Sequence, residues 1–210
     1  MPATLTRRSA LDDIPLAERP IVVPWIALID SGEQYPFRFV GLKADSDDDY
    51  RPLLVRTEQK HLGTSMGDYS IAVPLGDSSQ VGSVPFTGMM SRDYYIGQVS
   101  VERKSLEDAH GTILGWGERR ERFERELASL AAMRMAAVVV ECSFGVLLAN
   151  APEWGVKTAA QNRKILHRQV LAWQQEYRVP WLFCDNRGLA EVTTFRLLER
   201  FYRKFVKGEK

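Results

Sequence analysis

The sequence predicts an α/β fold, a mixed central sheet flanked by helices, on three observations. Short apolar runs closed by turn residues alternate with amphipathic helical stretches through the second half. The run Ile21–Asp30 is apolar on both faces, as in a strand inside a covered sheet. Residues 96–104 alternate with period two. With 210 residues and no internal repeat or second core, the chain reads as an arm over residues 1–20, mobile by expectation, and one domain over 21–210.

The elements follow in order. Ile21–Asp30 is the first strand, and Ser31-Gly32 turns the chain. Tyr35–Val40 continues as an extended or short helical piece. Asp45–Asp49 is read as a solvated acidic loop tip, because an EF-hand needs Gly at its sixth and Glu at its twelfth position, where Tyr50 and Arg56 stand. Leu53–Glu58 and Asp68–Val73 are strands, and Gly76–Gly88, rich in Gly, Ser and Pro, is a long loop or loose hairpin. In the next strand Val99 and Val101 share one face, Ser100, Glu102 and Lys104 the other.

Ser105 caps a helix running to about His110, with Asp108 as its capping-box acid, and Gly115-Trp116-Gly117 breaks it. Glu118–Met135 is a charged amphipathic helix with Phe123, Leu127, Leu130 and Arg134 on one stripe. Ala136–Cys142 is a buried strand. Lys157–Tyr177 is a helix carrying Ile165, Val170, Leu171 and Trp173, Pro180–Cys184 a short strand, and Gly188 to about Val206 the last helix. The sheet is expected to be partly parallel in this second half.

Composition excludes several classes. Hydrophobic residues at 45% and charged residues at 26% are ordinary for a globular protein and exclude wholesale disorder. No stretch approaches the ~20 apolar residues of a membrane span, and residues 1–20 lack a secretory apolar core. Two cysteines, Cys142 and Cys184, suit a reduced cytoplasmic setting, nucleoid-associated or nuclear by host. A net charge of +1 requires any nucleic-acid surface to be a local patch.

The chemistry is concentrated in Asp68 after Gly67 and in Glu102-Arg103-Lys104. Two carboxylates converging from neighbouring strands make a hard oxygen site suited to Mg²⁺ or Mn²⁺. Such an ion polarises a phosphoryl oxygen and lowers the pKa of bound water. A lysine beside them can orient or deprotonate that water, or offset charge on the phosphate. Acid plus Glu-x-Lys alone is better read as a solvated edge strand.

The longer string is more specific. Gly67-Asp68, a spacer, then Val101-Glu102-Arg103-Lys104 and Asp108 resembles the signature of the XPF-type structure-specific endonuclease family. Ile29-Asp30-Ser31-Gly32-Glu33 resembles its first acidic motif, and Arg122–Leu127 with Val138–Glu141 its following helix and strand. The resemblance begins near Trp25. It implies a restriction-endonuclease-like (PD-(D/E)xK) fold and a metal-dependent DNA endonuclease acting on branched or flapped DNA. By the same resemblance Asp68 and Glu102 bind metal, with the Arg103 carbonyl as a further ligand and Lys104 handling the water. Arg103 contacts phosphate or an acidic neighbour, Asp108 orients the basic pair, and Asp30 and Glu33 are additional acids near the metal. Gly32 stands where the family usually has Arg. The Asp68-to-Glu102 spacing of about 34 residues is long, the excess being either a substrate-facing insertion or slack. The family's tandem helix-hairpin-helix domain does not fit after Gly188. The alternatives are a catalytically silent DNA-junction-binding subunit and a restriction or phage-recombination nuclease of the same fold.

Among other residues, Arg119, Arg120, Arg122 and Arg125 interleave with Glu118, Glu121, Glu124 and Glu126. A salt-bridge-laced solvated helix is the favoured reading over phosphate contact. The tail, with Arg200, Arg203 and Lys204, is the expected DNA-facing surface. Phe195, Leu198, Phe201 and Phe205 share one helical face, either against the core or as a homodimer seam. His61, His110 and His167 lack zinc spacing, and Cys142 and Cys184 are read as buried thiols. Core positions are expected for the tryptophans, with Trp116 a candidate for base stacking.

Overall fold

The computed structural model describes residues 15, 18–45, 49–63, 66–74 and 94–209. Most of the expected arm, the middle of the acidic tip and the Gly76–Gly88 loop lie outside the described residues. Seven strands form one sheet: β1 (Ile21–Asp30), β2 (Leu53–Lys60), β3 (Tyr69–Pro74), β4 (Tyr94–Ile96), β5 (Val99–Lys104), β6 (Met135–Val140) and β7 (Trp181–Phe183). Five α-helices accompany them: α1 (Leu106–Ile113), α2 (Arg119–Ala131), α3 (Phe144–Ala149), α4 (Ala159–Tyr177) and α5 (Arg187–Phe201). The spatial order is β2-β1-β3-β5-β6-β7, with β4 paired to β3. β5, β6 and β7 run parallel, while β3 is antiparallel to β1 and β5. This is the mixed sheet flanked by helices that the sequence predicts. Among the described residues no helix is long and apolar enough to cross a membrane.

Alternation decides the layers. Odd residues of β1, Tyr69, Ile71, Val99 and Val101 pack against Phe195, Leu198 and Phe201 of α5 on one face. Val138 and Val140 pack on the other face against Phe123, Leu127 and Leu130 of α2, Ile113 of α1 and Trp173 of α4. β1 lies between β2 and β3, and its odd residues join the α5 layer while Ile26 and Leu28 on its other face pack with Leu62, Ala72 and Ile96. Its register with β2 slips between Val22 and Ile26, around Pro24, which has no amide hydrogen for the ladder.

Several expectations change. Tyr35–Val40 is neither strand nor helix. Phe37 N–H donates to the Tyr69 hydroxyl at 2.9 Å, and Arg38 and Phe39 N–H groups donate to Glu191, so its backbone is held by side chains while Phe37 and Phe39 enter the core. α1 runs to Ile113, because Gly111 and Thr112 are buried within it. The short helix α3 went unread; its cap, Ser143, accepts from Val146 N–H. In α4 the buried positions are Asn162, Leu166, Val170 and Trp173, whereas Leu171 is 45% exposed. Arg134 lies beyond α2, its guanidinium over the Phe205 ring at 4.3 Å. The last helix continues past Phe201 as a π-helical turn over Tyr202–Val206.

The aromatic stripe of α5 is core. Phe195 and Leu198 are 0% exposed and Phe201 is 1% exposed, so these side chains leave no surface for a dimer seam. Phe195 also stacks on Trp25 at 5.5 Å. Cys142 and Cys184 are buried free thiols in opposite core layers, with both thiols raised by burial. Truncating Phe195 to Ala should cost about 3–5 kcal/mol in urea unfolding. The unfolding midpoint should not move with protein concentration. A concentration-dependent midpoint would restore the intersubunit reading of this stripe.

Candidate active site

Asp68 immediately precedes β3, and Glu102 and Lys104 lie on the helix-covered face of β5. Three contacts bring them together. Tyr69 pairs with Val101 across the antiparallel ladder. Arg103 N–H donates to Asp68 Oδ2 at 2.7 Å. Gly67 N–H donates to Ser100 Oγ at 2.7 Å. A Cβ on Gly67 would stand 3.0 Å from the Glu102 backbone and from its Oε2, so only glycine permits this approach. The glycine of the motif is therefore explained by contact.

Glu102 is 4% exposed and its Oε1 accepts from Lys104 Nζ. Its Oε2 is buried and meets no amide, amine or hydroxyl donor among the described residues, and the Glu102 carboxylate is instead hydrogen-bonded to the Glu126 carboxyl. Burial and the neighbouring Glu102 charge push Asp68 well above the usual carboxylate range. Burial works against a charged Lys104, but the Glu102 and Glu126 carboxylates outweigh it and hold the ammonium above its ordinary value. Lys104 Nζ also lies 4.7 Å from the centre of the Phe123 ring. It is thus a fixed cation, poorly disposed to accept a proton.

Glu126 completes the group. Placed by sequence among solvated charges, it is instead turned inward, and burial followed by the Glu102 charge raises its carboxyl to about 9. The signal was in the helical spacing. Glu126 is three residues after Phe123 and one before Leu127, at the edge of the buried stripe.

The remaining predicted residues take other roles. The Arg103 guanidinium, 8% exposed, contacts Glu33 at 3.1 Å and Glu141 at 2.7 Å and lies over the Phe37 ring. Burial opposes its charge, while Glu141 and Glu33 raise its pKa. It meets the acidic neighbours that were one of its two expected partners, and Glu33 is its counter-ion. Arg187 reaches the same Glu141 at 2.6 Å. Glu141 closes an apolar strand with an acid, which was its only sequence signal. Asp30 accepts from Gly32 N–H at 2.7 Å and Leu62 N–H at 2.8 Å, so both its oxygens hold the turn between strands. Asp108 accepts from Ser105 Oγ at 2.8 Å, and it does not engage Arg103 or Lys104 as expected. His110 bonds to the Leu147 carbonyl at 2.9 Å, and His167 stacks on Phe144.

Arg200, Arg203 and Lys204 are not brought to this site. They follow at the far end of α5 from Arg187, about 20 Å along the helix axis. Arg203 is paired with Glu209 at 2.6 Å. Instead, Arg119, Arg122 and Arg125 of α2 line a cleft of ≈ 1100 Å³ whose walls include Asp68, Glu102, Lys104 and Glu126. Of the arginines expected to be laced into ion pairs, Arg120 does so with Glu124 at 3.3 Å.

Among the described residues no three acidic, histidine or cysteine side chains stand in metal-holding geometry. Asp68 and Glu102, which both line the cleft, are the carboxylates that could hold a hard cation there. Such a pair fits Mg²⁺, which binds through one or two carboxylates and fills its other positions with water and substrate phosphate.

No known family matches the chain by profile, and no curated protein matches it. Solved structures do match at low identity. XPF from Aeropyrum pernix aligns at 17% identity and TM-score 0.48, over 85% of this chain and 65% of that one. The same protein in complex with DNA aligns at 16% identity and TM-score 0.43, over 71% and 55%. The chain thus spans less than two thirds of either matched chain's length.

The carboxyl cluster dictates a pH dependence. Glu126 has a folded-state pKa above its ordinary value of 4.5, so its contribution to stability is fully present below that value and fades as pH rises toward about 9. Asp68 acts in the same sense. In EDTA, wild-type protein should lose melting temperature between about pH 5 and about pH 9, and Glu126→Gln should flatten that loss. Parallel curves for the two proteins would remove Glu126 from the cluster.

Proposed function

We propose that this chain is a divalent-metal-dependent endodeoxyribonuclease that hydrolyses phosphodiester bonds, with branched or flapped DNA as the substrate its motifs suggest by resemblance. The observation that carries the reading is the convergence of Asp68, Glu102 and Lys104 on one cleft, with the buried Glu102 carboxylate beside that of Asp68 at its wall. Burial beside the Glu102 charge pushes Asp68 toward its neutral form, and a cation in the cleft would relieve that crowding.

Mg²⁺ or Mn²⁺ held by Asp68 and Glu102 would supply the polarisation of a phosphoryl oxygen and the acidification of water. The chain's own groups do the rest. The Arg103 N–H holds the Asp68 carboxylate by one oxygen, which leaves the other for the cleft. Lys104, kept protonated by Glu102, offsets the negative charge that grows on the phosphate as water adds to phosphorus and one ester P–O bond breaks. Arg103 is committed to Glu33 and Glu141, and its part is to fix β5 against the segment after β1. A silent junction-binding subunit would have no chemical use for the set Asp68, Glu102 and Lys104.

Incubation of the pure protein with Mn²⁺ and labelled flap, fork and linear duplexes tests the reading. Asp68→Asn and Glu102→Gln should each abolish cleavage. In EDTA Asp68→Asn should melt no lower than wild type, since it removes one charge from a crowded group, whereas Glu102→Gln also unpairs the buried Lys104 and should melt lower while still folding. Full activity in either variant overturns the assignment.

Lys104→Ala should lower the cleavage rate by about 10²–10⁴-fold with little change in DNA affinity. A parallel fall in binding and cutting would make Lys104 a phosphate anchor.

A further inference from the structure

The cleft is acidic. Asp68, Glu102, Glu126 and Asp108 all line it, and a polyanion entering it meets repulsion. Its cations divide into two kinds. Arg103 and Lys104 are buried and paired with carboxylates. Arg119, Arg122 and Arg125 line the same cleft from α2, are exposed, and form no ion pair with any described residue.

Their position on the helix is also unfavourable for folding. Arg119 and Arg122 fall in the first turn of α2, where the helix dipole is positive and a cation is disfavoured, and Arg125 follows on the next turn. Glu118 stands at the N-cap position without capping through its side chain, and Glu121 is the single acid in the first turn. The dipole and the three guanidinium groups therefore add to one positive field directed along the rim. Residues three apart on a helix are neighbours, so the three form a continuous row rather than scattered charges.

We propose that Arg119, Arg122 and Arg125 form the track that holds the phosphate backbone of one DNA strand against the cleft. This proposal deepens the nuclease reading and rests on it. The row rises about 9 Å along α2. Each arginine side chain extends several bonds beyond the helix, so the three together can reach up to three successive phosphates of one strand. Guanidinium groups suit the task because each offers a planar fork of donors to phosphate oxygens. The track sets strand position, and the tail cations Arg200, Arg203 and Lys204 contribute no contact near the cut.

The test measures duplex affinity by fluorescence anisotropy in EDTA across 50–200 mM salt, on the order used for such titrations. Cleavage in Mn²⁺ is assayed in parallel. Each phosphate contact contributes ~0.9 to the slope of log affinity against log salt, so the triple variant R119A/R122A/R125A should lose about 2.7 of it. Over that fourfold salt range, wild type should then lose ~40-fold more affinity than the variant. The variant R119K/R122K/R125K should restore most of the slope, which excludes a folding defect as the cause. R200A/R203A/K204A should keep the wild-type slope. An unchanged slope in the triple alanine variant, with wild type still binding and cutting DNA, overturns the track and leaves the nuclease reading standing. Wild-type protein that neither binds nor cuts DNA overturns both.

Discussion

The site depends on a single clasp between two strands. The Arg103 amide donates to the Asp68 carboxylate at 2.7 Å, and one residue away Gly67 closes on the backbone of Glu102. These contacts join the start of β3 to the end of β5, where the antiparallel ladder is reduced to the pairing of Tyr69 with Val101. The side chain of Asp68 thus continues a sheet that the backbone alone no longer carries. The same contact that closes the sheet aims the acid at Glu102. Fold and site share one hydrogen bond.

The charges around this clasp sort by how they are neutralised. A buried ion is tolerated when it is paired, and it is strongly destabilising when it is left alone. Arg103 satisfies that rule through Glu33 and Glu141, with Arg187 joining Glu141 from α5. The network ties β5, β6, α5 and the segment after β1 into one end of the sheet. Lys104 satisfies it through Glu102. Asp68 and Glu126 do not, and each is pushed toward its neutral form by burial and by Glu102. Both uncompensated carboxyl groups line the cleft, where a ligand can reach them.

A second division runs across the sheet. α5 covers the face opposite Glu102, and its aromatic stripe fills that layer with Phe195, Leu198 and Phe201. α1 and α2 cover the other face but diverge at Gly115-Trp116-Gly117, where Gly115 and Gly117 adopt φ of 76° and 63°. That turn redirects the chain so that α2 presents Phe123 and Leu127 to the core, Glu126 to the carboxyl cluster and its arginines to the cleft. One helix therefore serves packing, electrostatics and access with three adjacent faces.

Much of this was legible in the sequence. Period-two alternation placed Val99 and Val101 in the core and Glu102 and Lys104 together on the other face, because a strand admits no third direction. The strands of the second half and the cap at Ser105 were likewise local properties, fixed by patterning and by one hydroxyl. What the sequence left undecided was partnership over distance. The stripe in α5 could cover a sheet or a second subunit, and only packing against Trp25 and Tyr69 makes it core. Arg103 offered a charge without naming Glu33, 70 residues away, or Glu141, 38 away. The charges of α2 looked alike in one dimension, yet Glu126 is turned inward and Arg119, Arg122 and Arg125 outward to the cleft. Local geometry is written in neighbouring residues, whereas the protonation of a carboxyl and the pairing of a charge are decided by whatever the completed sheet brings beside it.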